Sequence, residues 1–346
     1  MKYLRITFLA MLVSVFANCK KSGSDGAANT NVAPTNLSIN TTVNTDNSGN
    51  VVFTASANNA VSYDYDFGDG TYQTVPSGVV TYKYLASGTY TVNVVAKGSG
   101  GTTLSKSTSV IVTVTQTVTW SDEFNTPGAP DPTKWVYDTG TGDNGWGNSE
   151  LEYYTNRSDN VIVSDGTLKI TAKKENFGGS AYTSARMLTK GKFSFKYGKL
   201  EIKAKLPAGG GTWPAIWTLG DDFATNPWPA CGEMDIMEHK GNDLNRIFGT
   251  FHYPGHSGGN ANGKTIVIEN ATTQFHVYAL DWSPSTIKMS VDGNVYFTFA
   301  NSSAVPFNHN FFIILNVAMG GTFGGAVDPA FTSGTMEIDY IRLTGN

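Results

Sequence analysis

The stretch Lys199-Leu200-Glu201-Ile202-Lys203-Ala204-Lys205-Leu206 alternates charged and apolar side chains with a period of two. Successive side chains of a β-strand point to opposite faces of the sheet, so this alternation predicts a strand with one buried face. The sequence around Asp292-Gly293-Asn294 adds a predicted hairpin. Residues 311–315, which read Phe-Phe-Ile-Ile-Leu, predict a strand buried on both faces. No pattern in residues 119–346 indicates a helix of three turns, so this part of the chain is predicted to form one large two-sheet sandwich.

The composition of the 346-residue chain agrees with an all-β protein. Charged residues make up 15% of the chain and 38 residues are glycine, a balance typical of β-rich extracellular proteins rather than of disordered or helical ones. The 24 basic residues against 28 acidic ones leave a net charge of −4. This charge does not favour nucleic acid or an anionic membrane surface as a partner. Two cysteines exclude a disulfide-rich scaffold and a cysteine-rich zinc site.

The first residues have the features of an export signal. Lys2 and Arg5 precede an apolar run over residues 6–16, which is too short to remain in a bilayer as a spanning helix. The run ends just before Cys19 and resembles a bacterial lipoprotein signal. The resemblance implies a signal peptide over residues 1–18, a lipid on Cys19 that binds the membrane, and a flexible tether over residues 19–32. The predicted location is the bacterial cell envelope, on the periplasmic or the outer side of an outer membrane. The alternative is an ordinary secretory signal with an incidental cysteine, and hence a secreted protein.

Aromatic residues and histidines separate two predicted domains. All seven tryptophans lie at or beyond Trp120, and all five histidines lie at or beyond His239. Over residues 33–115, short β-rich runs alternate with turn-forming residues, which predicts a small β-sandwich. The turn Asp66-Phe67-Gly68-Asp69-Gly70 and the later run 88–92, Gly-Thr-Tyr-Thr-Val, resemble the signature of PKD-type immunoglobulin-like domains. The aspartates are interpreted as turn formers rather than as calcium ligands. Residues 118–346 form the second predicted domain.

The second domain contains three carboxylates in the segment 231–239: Glu233, Asp235 and Glu238. On a helix Glu233 and Glu238 would point about 140° apart, whereas on a strand Glu233 and Asp235 share one face. One extra residue, a β-bulge, would turn Glu238 to the same face. Carboxylates that share a surface and differ in pKa are what glycoside hydrolysis requires. From these residues alone, a solvated acidic strand or a calcium site is the alternative.

Aromatic residues near this segment favour a polysaccharide as the substrate. Trp213 and Trp217 are four residues apart and lie on one face of a predicted strand. Flat indole faces pack against the C–H faces of sugar rings, so such a pair suits a carbohydrate-binding groove. Trp120, Trp135 and Trp282 are instead expected to be structural.

These stretches together resemble glycoside hydrolase family 16, on its laminarinase (endo-β-1,3-glucanase) branch. The matching segments are spread over residues 119–346, namely 120–124, 147–155, 184–187, 213–219, 231–238, 249–254, 281–284 and 339–342. The resemblance implies a β-jelly roll with a cleft on its concave sheet. The whole chain would then be all-β, with a jelly-roll sandwich hydrolase domain preceded by a small immunoglobulin-like sandwich. Met237 matches the bulged form of the acid motif that laminarinases, agarases and carrageenases share.

The resemblance also implies roles for individual residues. Glu233 would be the nucleophile, Asp235 would tune it, and Glu238 would be the acid/base of a retaining mechanism that needs no cofactor. The substrate cleft would be lined by Asn148, Arg186, Trp213, Trp217 and His252. A structural Ca2+ ion away from the cleft would be bound by Glu123, the carbonyl group of Gly166, and Asp339.

The predicted function is endo-hydrolysis of a β-1,3-glucan such as laminarin by a monomer, with mixed β-1,3/1,4-glucan as a further substrate. Two alternatives remain: another polysaccharide-cleaving member of the family, of the agarase or carrageenase type, and a non-catalytic glucan-binding protein. The intact set of three carboxylates weighs against the binding protein. Cys231 has no activating neighbour in the sequence and is expected to be a packed side chain.

Overall fold

The computed structural model describes residues 31–115 and 117–345. The predicted signal peptide and the predicted lipidation site at Cys19 lie outside these residues. The chain divides into two compact units, one that ends at Val114 and one that begins at Thr115. In the described residues both units consist mainly of strands, which confirms the all-β prediction. No helix in this part of the chain is long and apolar enough to cross a membrane.

The N-terminal unit is a sandwich of two small antiparallel sheets. Its strands are β1 (Thr35–Val43), β2 (Asn50–Asn58), β3 (Ala60–Asp66), β4 (Tyr72–Val75), β5 (Val79–Lys83), β6 (Gly88–Gly98) and β7 (Thr103–Val112). One sheet has the order β1-β2-β5 and the other has the order β4-β3-β6-β7. Alternate side chains point inward, so Val51, Phe53, Val92 and Val94 are fully buried in the core of this unit.

The aspartates after β3 hold the backbone of the turn in which they lie. The carboxylate of Asp66 accepts a hydrogen bond from the backbone N–H of Gly68, and that of Asp69 accepts one from Thr71, each over 3.0 Å. Asp69 also accepts a 2.7 Å bond from the hydroxyl group of Tyr82. Bonds from short polar side chains to nearby backbone groups stabilise turns. The aspartates therefore act as turn formers.

The C-terminal unit packs two large sheets around one core. Its strands are β8 (Val118–Asp122), β9 (Val136–Asp138), β10 (Glu152–Tyr154), β11 (Val161–Ser164), β12 (Thr167–Phe177), β13 (Ser180–Ser184), β14 (Arg186–Leu188), β15 (Gly198–Lys205), β16 (Thr212–Gly220), β17 (Glu233–Lys240), β18 (Asp243–His252), β19 (Asn262–Val267), β20 (His276–Trp282), β21 (Thr286–Val291), β22 (Asn294–Ala300), β23 (Phe311–Met319) and β24 (Ser333–Thr344). One sheet has the order β10-β13-β12-β24-β15-β20-β21-β22, with β11 beside β12 and β8 beside β24. The other sheet has seven strands in the order β19-β18-β17-β16-β23-β14-β9. Short helical turns lie at Gly145–Ser149, Gly258–Asn260 and Gly321–Gly324.

Strand β15 has the burial that its alternating sequence predicts. Leu200 and Ile202 are fully buried, whereas Lys203 lies on the other face and forms an ion pair with Asp339. Burying an aliphatic side chain of this size stabilises a fold by about 1.5–3 kcal/mol. Strands β21 and β22 pair as the predicted hairpin, with Val291 opposite Asn294 at its end.

Strand β23 lies inside the seven-stranded sheet, between β16 and β14. All nine of its residues are buried, which confirms the prediction of a strand covered on both faces. Ile313 and Leu315 belong to the core between the two sheets, whereas Phe312 and Ile314 form a separate apolar cluster with Leu188. This second cluster lies on the face of the sheet that points away from the core, which is the face that carries the candidate site.

Three tryptophans are structural, as expected. Trp135 and Trp282 are buried, and the ring of Trp120 lies 6.1 Å from that of Trp135. The indole N–H of Trp135 donates a 2.8 Å hydrogen bond to Asp122, and that of Trp282 donates a 3.0 Å bond to the carbonyl group of Phe307. Both buried indole N–H groups therefore have a hydrogen-bond acceptor, as a stable core requires.

Candidate active site

The three carboxylates lie on strand β17 of the seven-stranded sheet. On the neighbouring strand β16, Trp217 pairs with Asp235 and Ala215 pairs with Glu238. A step of two residues on β16 therefore corresponds to three on β17, which is the register of a β-bulge with one extra residue. The same shift occurs between β17 and β18. The bulge turns Glu238 to the face that carries Glu233 and Asp235.

His252, at the end of β18, lies beside two of the carboxylates. Its Nε2 atom is 3.2 Å from Oδ2 of Asp235 and 3.6 Å from Oε1 of Glu233. The side chain of Asp235 is 6% exposed, and those of Glu233 and His252 are 17% and 15% exposed. The carboxylates therefore lie in a nearly desolvated site and not on a solvated acidic strand.

Burial raises the pKa of all three carboxyl groups, and loss of hydration is the largest cause for each. It raises the pKa of Glu233 to about 8, with a further contribution from the charge of Asp235. The pKa of Asp235 lies well above its ordinary value because of burial and the charge of Glu238. Burial also raises the pKa of Glu238, and hydrogen bonding by Trp213 opposes this effect. Three acids this close together do not all ionise, so the site retains at least one proton at neutral pH.

A backbone group sets the tautomer of His252. The N–H of Gly258 donates a 3.2 Å hydrogen bond to Nδ1 of His252. This bond requires an unprotonated Nδ1, so the proton of the neutral ring is on Nε2. Nε2 and the carboxylates of Glu233 and Asp235 lie close enough together to hold a metal ion, but a metal-binding Nε2 would need the ring proton on Nδ1. The tautomer therefore favours contact between Nε2–H and the two carboxylates over metal binding.

Trp213 on β16 contacts the third carboxylate. Its Nε1–H donates a 3.0 Å hydrogen bond to Oε1 of Glu238, and the hydroxyl group of Thr250 donates a long bond of 3.5 Å to Oε2. Trp213 is only 9% exposed, and its ring lies 5.2 Å from that of Phe323. The indole N–H binds Glu238, so Trp213 orients that carboxylate. Because the ring is nearly buried, little of its surface is accessible to a sugar.

Arg186 on β14 lies between two indole rings. Its guanidinium carbon is 4.7 Å from the ring centre of Trp146 and 4.9 Å from that of Trp217. The guanidinium nitrogen Nε also lies 3.2 Å from a carboxylate oxygen of Asp138. The Nε1–H of Trp217 donates a 2.8 Å hydrogen bond to Asn316. Arg186 thus lies over the ring of Trp217 and Asn316 binds its edge. The ring is half-buried and also packs against the apolar cluster of Leu188, Phe312 and Ile314, so only its exposed part is available for a sugar ring.

Asn148 connects to this group through residues with little sequence signal. Its side-chain amide donates a 3.2 Å hydrogen bond to Glu150, which also accepts one from the hydroxyl group of Tyr154. Tyr154 ends strand β10 and is fully buried, and Asn316 donates to its hydroxyl group. Tyr154 lies in a Gly/Asn-rich stretch of sequence, where binding residues tend to concentrate, whereas Glu150 has no signal beyond the matching segment 147–155.

The residues predicted to bind calcium lie around strand β24. Arg342 donates to both carboxylate oxygens of Glu123, over 2.9 and 2.7 Å, and lowers the pKa of that carboxyl group. Lys203 pairs with Oδ2 of Asp339 over 2.7 Å. Both carboxylates that the resemblance assigns to calcium are thus paired with cationic side chains. Calcium binding by Glu123, Gly166 and Asp339 stays a prediction.

Cys231, just before the acidic segment, is fully buried. Burial raises the pKa of its thiol group to about 11. A thiol that stays protonated is a poor nucleophile. Cys231 is therefore a packed side chain, as expected.

Carboxyl groups in a desolvated site can both attack an anomeric carbon and protonate its leaving oxygen, which is the chemistry of a glycoside hydrolase. Comparison with known sequences narrows the class to one family. The profile of the glycosyl hydrolases family 16 matches residues 148–342, and the chain belongs to that family. A PKD domain profile matches residues 31–114, which are most of the N-terminal unit.

Several known proteins are similar to the C-terminal unit. A beta-glucanase of Rhodothermus marinus is 44% identical over 240 residues, which cover 65% of this chain and 83% of that protein. The X-ray structure of the laminarinase from Rhodothermus marinus matches with a TM-score of 0.64 and 43% identity, covering 67% of this chain and 98% of that one. Glucan endo-1,3-beta-glucosidase A1 of Niallia circulans is 37% identical over 258 residues, covering 65% of this chain and 37% of that protein.

Proposed function

We propose that this chain is a retaining endo-β-1,3-glucanase that hydrolyses laminarin-like glucans, with mixed β-1,3/1,4-glucan as a further substrate. The observation that carries the proposal is the bulged strand β17, which brings Glu233, Asp235 and Glu238 to one desolvated face. The choice of linkage is supported by the similar proteins from Rhodothermus marinus and Niallia circulans, which are named as a beta-glucanase and a glucan endo-1,3-beta-glucosidase.

The carboxylates suit a double displacement. Glu233 attacks the anomeric carbon as the bond to the leaving oxygen breaks, and Glu238 gives its proton to that oxygen. The raised pKa of Glu238 favours the protonated form that this step needs. Glu238 then removes a proton from a water molecule, whose oxygen attacks the same carbon and releases Glu233. Each displacement inverts the anomeric carbon, so the product retains the configuration of the substrate.

Asp235 and His252 adjust the charge of Glu233. A protonated Asp235 carries no charge, so Glu233 can ionise although both side chains are nearly buried. Nε2 of His252 lies 3.6 Å from Oε1 of Glu233, and the electrostatic effect of His252 lowers the pKa of that carboxyl group against the effect of burial. His252 thus favours an anionic nucleophile, and Asp235 does so only when it is protonated, because its charge raises the pKa of Glu233.

Two alternative functions differ in how well the site suits them. A non-catalytic glucan-binding protein has no need of three acids in a desolvated site, where each carboxyl group loses its hydration. An agarase or carrageenase is not separated from a glucanase by the carboxylates, because the bulged motif is expected in all of them. Only the polysaccharide that the enzyme cleaves distinguishes a glucanase from an agarase or a carrageenase.

Release of reducing sugar from laminarin, lichenan, agarose and carrageenan tests the proposal. We expect turnover of laminarin, slower turnover of lichenan and no turnover of the two galactans. Glu233→Gln keeps the shape of the side chain, and we expect it to lose at least about a thousandfold in kcat while it still binds laminarin oligosaccharides. Cleavage of agarose or carrageenan alone would contradict the proposed linkage. A Glu233→Gln enzyme that retains more than about a tenth of the wild-type kcat would contradict the role of Glu233.

We also propose that a lipid on Cys19 tethers the enzyme to a membrane of the bacterial cell envelope. The support is the sequence of residues 1–19. Cys19→Ser should move the enzyme from the membrane fraction to the soluble fraction with unchanged specific activity on soluble laminarin. A Cys19→Ser protein that stays with the membrane would contradict the anchor.

A further inference from the structure

A chain of hydrogen bonds connects Trp217 with Asn148. The Nε1–H of Trp217 donates over 2.8 Å to Oδ1 of Asn316, whose Nδ2 donates over 3.0 Å to the hydroxyl group of Tyr154. That hydroxyl group donates over 3.0 Å to Oε2 of Glu150, and the amide group of Asn148 donates over 3.2 Å to Oε1. The family resemblance places the two end residues in the substrate cleft, whereas it assigns no role to the residues between them.

Each group in this chain of hydrogen bonds has one orientation in which its donors and acceptors match those of its neighbours. Asn316 presents its carbonyl oxygen to Trp217, because the indole nitrogen can only donate. The amide nitrogen of Asn316 then faces Tyr154, so the proton of the tyrosine points to the carboxylate of Glu150. Aligned bonds of this kind strengthen one another where little water is present.

The two middle residues of this chain of hydrogen bonds lie on strands, whereas Asn148 lies in the helical turn Gly145–Ser149. Asn316 on β23 is 6% exposed, and Tyr154 on β10 is fully buried. Next to them, the fully buried Glu152 accepts a 2.6 Å hydrogen bond from the backbone N–H of Met319 on β23. Burial and the adjacent Glu150 hold the pKa of Glu152 well above its ordinary value, so a neutral Glu152 joins β10 to β23. Strands β10 and β23 therefore form a rigid base for this chain of hydrogen bonds.

This base determines how Trp217 can present its ring. Turning the indole about its side-chain bonds would break the bond to Asn316 and the stacking contact with Arg186 together. The exposed part of the indole is thus held in one orientation before any ligand arrives. A sugar ring that stacks on a preoriented surface avoids the entropic cost of ordering that surface.

We propose that Tyr154 and Asn316 are positioning residues: through this chain they hold the ring of Trp217, and so set the affinity of the cleft for glucan without acting on the reacting atoms. The inference rests on the proposed function, because it takes glucan as the ligand that stacks on Trp217.

Kinetics on laminarin oligosaccharides with Tyr154→Phe, Trp217→Phe and the double variant test this inference. Tyr154→Phe removes one hydroxyl group and keeps the ring, so we expect KM to rise roughly fivefold with kcat within about twofold of wild type. Trp217→Phe removes the N–H at one end of the chain of hydrogen bonds. The double variant should therefore have the same KM as Trp217→Phe alone. Tyr153→Phe, on the adjacent tyrosine outside the chain, is the matched control and should keep the wild-type KM. A loss confined to kcat, an additive double variant or an unchanged KM in Tyr154→Phe would overturn the inference.

A measurement on the unmodified enzyme covers the case in which Tyr154→Phe does not fold. The Nε1–H resonance of Trp217, assigned by its loss in Trp217→Phe, should exchange with deuterium at least about tenfold more slowly than that of Trp228. Trp228 is 48% exposed and serves as the internal reference. Exchange of Trp217 as fast as that of Trp228 would overturn the inference. If the enzyme cleaves no β-1,3-glucan, the proposed function fails, whereas slow exchange would still support the positioning of Trp217.

Discussion

The indole of Trp213 and the carboxylate of Glu238 are joined by a 3.0 Å hydrogen bond between the neighbouring strands β16 and β17. The bond stabilises the ionised form of Glu238, and so opposes the rise in pKa that burial causes. An acid/base has to be protonated in one step and ionised in the next. The two opposing effects keep both forms of Glu238 accessible.

Removing this donor is expected to shift the pH dependence of catalysis. Trp213→Phe keeps an aromatic ring but lacks the N–H, so the pKa of Glu238 should rise. Activity requires protonated Glu238 and falls as the pH passes its pKa, so the alkaline limb of kcat/KM should move to higher pH. Trp217→Phe is the matched control, because its indole donates to Asn316 and not to a carboxylate. An alkaline limb that stays in place or moves to lower pH in Trp213→Phe would argue against Glu238 as the acid.

Asp235→Asn is expected to retain more activity than Glu233→Gln, with a loss of roughly 10- to 100-fold. Asparagine keeps the shape of Asp235 and removes its charge. The charge of Asp235 is the second cause, after burial, of the raised pKa of Glu233. Removing it should lower the pKa of Glu233 and move the acid limb of kcat/KM to lower pH. A loss as large as that of Glu233→Gln, or an acid limb that stays in place or moves to higher pH, would contradict the effect of the Asp235 charge on Glu233.

Much of the site could be predicted from the sequence, because it depends on the geometry of single strands. The period of two decides which side chains of β17 share a face, and the position of Glu238 then requires a bulge, which the register with β16 contains. The same period decides the burial of Leu200 and Ile202 on β15. Local pattern suffices in these cases because side-chain alternation is a property of the strand itself.

The residues around Tyr154 could not be predicted in this way, because tertiary contacts determine their roles. Tyr154 bonds to Asn316, which lies 162 residues further along the chain. Glutamate is a mostly exposed residue type, yet Glu152 is fully buried. The tautomer of His252 depends on the backbone N–H of Gly258, in a helical turn beyond the strand. None of these contacts leaves a periodic signal in one sequence.

The contribution of Glu233 to thermal stability is expected to fall as the pH rises from 5 to 8. The pKa of Glu233 is about 8 in the folded protein, against 4.5 for an ordinary glutamate. Between these values the folded state keeps a proton that the unfolded chain releases, so the stabilisation present below pH 4.5 is lost by about pH 8. Tm should therefore decrease less steeply in Glu233→Gln than in wild type. Glu269→Gln, at an exposed glutamate, is the control and should keep the wild-type slope. Equal slopes in Glu233→Gln and wild type would contradict the raised pKa.

Calcium is expected to raise the Tm of chelator-treated protein. At a hundredfold excess over its Kd, a bound ion stabilises the folded state by about 2.7 kcal/mol. Asp339→Asn should abolish the gain, whereas Glu123→Gln should keep it, because both carboxylate oxygens of Glu123 are bound by Arg342. Melting curves with Ca2+ and, for comparison, Mg2+ provide the measurement. A Tm that does not respond to Ca2+ would mean that the protein has no calcium site, and loss of the response in Glu123→Gln alone would move the site to that residue.

A chain that begins at Thr117 is expected to fold and to cleave soluble laminarin at a rate similar to that of the longer protein. The C-terminal unit buries its own core, whose residues run from Phe124 to Leu343, and the N-terminal unit has a separate core from Leu37 to Val112. A unit with its own core can fold alone. A slower rate of the shortened enzyme on insoluble glucan alone would indicate that the N-terminal unit binds this material and raises the local concentration of substrate. Circular dichroism and sugar release on both substrates provide the comparison. An insoluble product, or one that is inactive on soluble laminarin, would show that the hydrolase needs the preceding residues for its structure.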